Sequence, residues 1–81
     1  MNIYIGNLSY SVRENDLQQV LEEYGTVTSV RVVKDRNTKR SKGFGFCEME
    51  NDEDARNAIE KLNGTELSGR LLVLKEALPR D

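Results

Sequence analysis

The sequence predicts an α+β domain in which two helices cover one face of a four-stranded antiparallel sheet, in the order β-α-β-β-α-β. Three observations lead there. Four stretches show strand-like alternation or runs of β-branched residues. Two stretches carry a single apolar stripe at helical spacing. One of the strands turns two phenylalanines to the side that also carries a carboxylate, so one face of the sheet is left open.

That strand is Lys42-Gly43-Phe44-Gly45-Phe46-Cys47-Glu48-Met49. Successive side chains of a strand point to opposite faces, which groups Phe44, Phe46 and Glu48 on one side and Gly43, Gly45, Cys47 and Met49 on the other. A carboxylate is rarely buried without a partner, so the side with Glu48 is the wet one. The two glycines, the cysteine and the methionine suit close packing. The plainer reading makes the phenylalanines core and Glu48 a strand end. It needs a second covering layer, and the rest of the chain does not supply one.

The other elements follow in order. Asn2-Ile3-Tyr4-Ile5-Gly6 alternates, with Ile3 and Ile5 inward and Asn2 and Tyr4 outward, and residues 7–11 form a loop. Leu17, Val20, Leu21 and Tyr24 form the first helical stripe, with Glu14 and Asp16 near its positive start and Gly25 as its stop. Val27–Lys34 is the second strand, pairing Val30 with Val32 on one side and Arg31 with Val33 on the other. Residues 35–41 are a polar turn. Asn51 is the N-cap of a second helix, with Asp54 three residues on, and Ala55, Ala58, Ile59 and Leu62 are its apolar stripe. Asn63-Gly64 ends it, and residues 66–70 are a turn-rich connection. Residues 71–75 are the last strand, with Leu72 and Leu74 inward, Val73 and Lys75 outward, and a short tail behind. This is the split βαβ, or ferredoxin-like, arrangement. Each helix has one stripe and can serve only one face of the sheet. The open face then carries Asn2, Tyr4, Arg31, Val33, Phe44, Phe46, Glu48, Val73 and Lys75, an aromatic centre with a polar and basic rim.

Composition narrows the function. At 81 residues the chain is one domain, with an expected radius of gyration of about 12 Å and a stability of a few kcal/mol. Net charge is −2, so a nucleic-acid site must come from a local basic patch. Such a patch exists: Lys34, Arg36, Lys39, Arg40 and Lys42 stand against the single anion Asp35 in residues 34–42. A charge run of this kind is ordinarily a solvated loop, and its place beside the aromatic strand gives it a second meaning. There is no histidine, which removes Ser–His and Cys–His nucleophiles, and no cluster with metal-ligand spacing. The single cysteine, Cys47, excludes an internal disulfide and points inward as an inert thiol. Glu48 stands where a third dinucleotide-binding glycine would be needed after Gly43 and Gly45. No enzyme, cofactor or small-molecule substrate is expected. No apolar run has signal-peptide or membrane length, so a cytoplasmic location and no membrane contact are expected.

The octamer at residues 42–49 resembles the signature K/R-G-F/Y-G/A-F-V-x-F/Y of the RNA recognition motif, and Ile3-Tyr4-Ile5-Gly6-Asn7-Leu8 is similar to the family's companion hexamer. The resemblance extends through Asp16-Leu17, Glu53-Asp54-Ala55 and Leu62-Asn63-Gly64, and covers nearly the whole chain. It implies a domain over residues 1–77 with a flexible tail at 78–81, akin to the short single-domain bacterial members. Cys47 and Met49 depart from the usual valine and aromatic, but both point inward. Arg13 stands where the family often has a threonine N-cap, which weakens the first helix by about 1 kcal/mol relative to a good cap.

The resemblance implies a mechanism. Single-stranded RNA is the expected partner, with single-stranded DNA an alternative ligand in vitro and a role in post-transcriptional regulation. The hexamer and octamer strands are central neighbours in the family. Tyr4 and Phe46 are then expected to stack successive bases, and Phe44 to pack on the sugars between them. Phe44 and Phe46 repeat at about 6.6 Å along their strand. Each base–aromatic contact contributes about 1–3 kcal/mol, so micromolar binding, about −8 kcal/mol, needs electrostatic help. Arg31, Lys39, Arg40, Lys42 and Lys75 are placed to supply phosphate contacts, and Asn2 and Glu48 to hydrogen-bond base edges. A monomer is expected, since nothing requires a dimer. The alternative is a protein–protein interaction module on the same fold. It draws on the acidic run Glu48, Glu50, Asp52, Glu53 and Asp54, which helix-dipole complementarity and solubility explain more simply. A protein-binding member would also commonly lack one of Tyr4, Phe44 and Phe46.

Overall fold

Alternation in the first strand decides the layering. In β1 (Asn2–Gly6), Ile3 and Ile5 are almost fully buried while Asn2 and Tyr4 keep partial access to solvent. A computed structural model describes residues 1–38 and 41–77, with residues 41 and 42 described by their backbone alone. After β1 come α1 (Glu14–Glu22), β2 (Val27–Lys34), β3 (Ser41–Met49) and α2 (Asp52–Leu62). The short strands β4 (Glu66–Leu67) and β5 (Arg70–Leu71) precede β6 (Val73–Ala77). The main sheet is antiparallel, in the order β2-β3-β1-β6. The predicted α+β, ferredoxin-like architecture is the one observed.

The core is the layer between the sheet and the helices. Ile3, Ile5, Val32, Cys47, Met49 and Leu74 from the sheet meet Leu17 and Leu21 of α1 and Ala55, Ala58 and Leu62 of α2. Among the described residues no polar or charged residue is buried. The Cα radius of gyration is 11.9 Å, as the chain length predicts.

Each helix is fixed at its start by a different device. The Asn51 side chain accepts from the Glu53 and Asp54 backbone N–H groups, at 2.8 and 3.1 Å, as a good N-cap should. Arg13 is the N-cap of α1 and makes no side-chain cap bond. Instead, its own N–H donates to the Asp16 carboxylate at 2.9 Å, which is the returning half of a capping box. The expected weak cap is thus partly offset by a residue within the first turn.

Four details differ from the sequence expectation. The last strand begins at Val73, because Arg70 and Leu71 turn back to pair with Leu67 and Glu66. Ser68 and Gly69 both have positive φ, 53° and 83°, the backbone of a two-residue hairpin turn. Gly25 has no left-handed φ and is not a helix-ending cap: a Cβ there would lie 2.5–2.8 Å from the Asp54 side chain, so its smallness admits α2. Tyr24 falls beyond α1 but is still half-buried against the core. Gly43 is not a flat strand residue; its φ is +84°, and its carbonyl accepts from the Leu8 N–H at 2.9 Å. Gly45 is the close-packed one: a Cβ there would strike the Arg31 carbonyl.

Candidate nucleic-acid interface

The side of the sheet away from the helices is organised in rows by cross-strand register. Tyr4 on β1 is directly opposite Phe46 on β3 and Lys75 on β6, and Phe46 is opposite Arg31 on β2. One row therefore runs Arg31, Phe46, Tyr4, Lys75. The adjacent row runs Ser29, Glu48, Asn2, Ala77. Phe44 lies beyond Phe46 on the same strand face, next to Gly43.

The three rings touch. Tyr4 and Phe44 are stacked, with centroids 6.0 Å apart and planes 28° from parallel. Phe46 meets Tyr4 edge-on at 5.7 Å and Phe44 edge-on at 6.1 Å. The Phe44–Phe46 spacing is close to the expected strand repeat. The stacked pair depends on Gly6. A Cβ at Gly6 would lie 2.8 Å from both Cε1 and Oη of Tyr4, so the tyrosine ring lies along its own strand over the glycine. Gly6 was absent from the sequence-predicted site; its signal is its place two residues after Tyr4, on the same face. The Lys75 ammonium stands 5.2 Å from the Tyr4 ring centroid, within cation–π range. Beside the rings is an open depression of about 580 Å³ bordered by Asn2, Ser29, Arg31, Val33, Phe44 and Phe46.

The rest of the chemistry is spare. Burial pushes the Cys47 thiol up to about 12, so it stays protonated near neutral pH and is a packing group. Among the described residues no group of three or more His, Cys, Asp or Glu side chains could hold a metal ion, and no helix is long and apolar enough to cross a membrane. An aromatic patch with cations at both ends of its row, Arg31 and Lys75, can stack flat rings and attract anions.

The family model for the RNA recognition motif matches residues 3–73. The chain belongs to the RNA recognition motif family. It is 51 % identical over 81 residues to the "Putative RNA-binding protein RbpE" of Nostoc, spanning all of this chain and 82 % of that one. A crystal structure titled RNA Binding Protein PG1 is 60 % identical, with a TM-score of 0.96 over 100 % of this chain and 98 % of that one. The Rna15 RNA recognition motif, solved with bound RNA (GU), is 29 % identical, with a TM-score of 0.86 over 99 % of this chain and 85 % of that one.

Of the residues singled out in the sequence, Asn2, Tyr4, Arg31, Phe44, Phe46 and Lys75 share one face of this RNA recognition motif. Lys39 and Arg40 lie outside the described residues, as does the side chain of Lys42, and so do residues 78–81. Thr28 is a further addition. Its hydroxyl lies 3.0 Å from Glu48 Oε1 and 3.0 Å from the Glu48 carbonyl oxygen. Parity alone could not find it, because β2 changes register against β3 between Val27 and Ser29.

Proposed function

We propose that this protein binds unpaired RNA across the open sheet face, as a cytoplasmic monomer acting in post-transcriptional regulation. Tyr4 and Phe46 stack successive bases, Phe44 packs on the sugars between them, and Arg31, Lys39, Arg40, Lys42 and Lys75 contact phosphates. No catalytic step belongs to this reading. The observation that carries it is the Tyr4–Phe44–Phe46 cluster, three rings in mutual contact on the face that neither described helix covers. A small domain leaves such a patch open when a ligand covers it. Unpaired bases are suited to it, because every base offers a π-face to an aromatic ring. The relatives named for RNA binding, and the Rna15 domain solved with RNA, support the same partner.

The test is an NMR titration of the labelled protein with a degenerate pool of short single-stranded RNAs. Shifts concentrated on Tyr4, Phe44, Phe46 and residues 34–42 are expected. Shifts confined to the helices, or none, would overturn the proposal and direct attention to a protein partner.

A further inference from the structure

The row beside the aromatic row has the opposite electrostatic character. Glu48 is exposed on β3, across from Asn2 of β1 and Ser29 of β2. Its Oε1 is 3.0 Å from the Thr28 hydroxyl, whose single proton is shared with the Glu48 backbone carbonyl. The second carboxylate oxygen is left for a ligand. Among the described residues no cation lies within 4.0 Å of the Glu48 carboxylate, so no described cation neutralises it. A bare carboxylate repels phosphate. On a face otherwise suited to a polyanion it calls for a partner made of hydrogen-bond donors.

Such a partner is found among the bases themselves. A carboxylate has two oxygens that only accept. Guanine has two neighbouring donors, N1–H and the N2 amino group, on its Watson–Crick edge, next to the acceptor O6. Adenine and cytosine each set one amino donor beside a ring acceptor, and uracil sets one imino donor between two acceptors. Only guanine offers a pair of donors to both carboxylate oxygens. The Asn2 amide, directly across the strand pair from Glu48, is a donor suited to O6. Glu48 is two residues from Phe46 on the same face, about 6.6 Å along the strand, so a purine stacked on Phe46 brings its edge towards the carboxylate.

We propose that Glu48, with Asn2 across the strand pair, makes the sheet face selective for guanine. The proposal rests on the RNA-binding reading above and adds the identity of one base to it. The test is fluorescence anisotropy with four labelled RNA octamers: oligouridine, and oligouridine with one central adenine, cytosine or guanine. The wild-type protein is expected to bind the guanine octamer at least about five-fold more tightly than the other three, the lower end for one bidentate contact. Glu48→Gln keeps the side-chain length and sits on an exposed position, so the fold persists. It is expected to abolish most of that margin, while binding to the other three octamers holds or strengthens because a repelling charge has gone. Equal binding of all four octamers by the wild type, or a guanine margin that survives Glu48→Gln, overturns the proposal and leaves RNA binding standing. Absence of binding to any octamer overturns both.

Discussion

Two glycines on neighbouring strands separate folding from binding at the level of single residues. A Cβ at Gly45 meets the Arg31 backbone carbonyl, which cannot move without breaking the β2–β3 pairing. Gly45→Ala is therefore expected to lower stability by about 1–3 kcal/mol, read by urea denaturation. The nearest atoms to a Cβ at Gly6 belong to the far end of the Tyr4 ring, which can swing aside. Gly6→Ala is expected to fold, to lose the Tyr4–Phe44 stack, and to bind single-stranded RNA more weakly, read by a near-native melt alongside a raised Kd. Phe46→Ala is expected to weaken RNA binding by at least about 1 kcal/mol in a domain that still folds, since its ring is on the open face. Unchanged affinity in a folded Phe46→Ala protein would sink the stacking model. The open face was legible at this scale because parity holds along β1 and from Phe44 to Glu48 of β3, and Glu48 marks its wet side. The separate reasons for Gly43 and Gly45 were not, because a positive φ and a close backbone approach look the same in a sequence.

Among the elements, the outer edge of β2 is held by α1. Glu14 Oε2 accepts from the Val32 N–H at 3.1 Å, occupying a donor that the edge strand would otherwise turn to solvent. This bond, with help from the charges of Lys34 and Arg13, holds the Glu14 carboxyl below its ordinary value of 4.5. A carboxyl whose pKa falls on folding adds stability above its unfolded pKa and loses it as pH drops through the folded value. The stability advantage of the wild type over Glu14→Gln is expected to be full at neutral pH. It should shrink below about 4.5 and vanish once Glu14 is protonated, as followed by urea denaturation at stepped pH. A gap that persisted at low pH would mean that the carboxylate charge is not what matters. The helices and long strands were legible from periodicity, while the β4–β5 hairpin was not. Two residues per strand carry no period, and only the tertiary partner of Leu72, whose N–H donates to the Thr65 carbonyl at 2.8 Å, sets where β6 begins.

For the whole molecule, charge is distributed rather than summed. The net charge of −2 coexists with a cationic stretch at residues 34–42. If that stretch carries phosphate contacts, the double variant Lys39→Ala/Arg40→Ala is expected to flatten the salt dependence of RNA binding by about 0.7 slope units for each phosphate no longer neutralised. An unaltered slope in a titration against potassium chloride would remove the loop from the mechanism. The layer architecture was readable from the order of elements, because two single-striped helices cannot cover both faces of one sheet. What no residue pattern announced is the state of the open face without its ligand. The ammonium of Lys75 stands 5.2 Å from the centre of the Tyr4 ring, and an ammonium is a compact, strongly hydrated charge. The free protein thus keeps a charged, water-bearing cover on part of its stickiest surface. Any flat group that stacks on Tyr4 must first displace that ammonium and its water, so the tyrosine is reached by exchange rather than by simple contact.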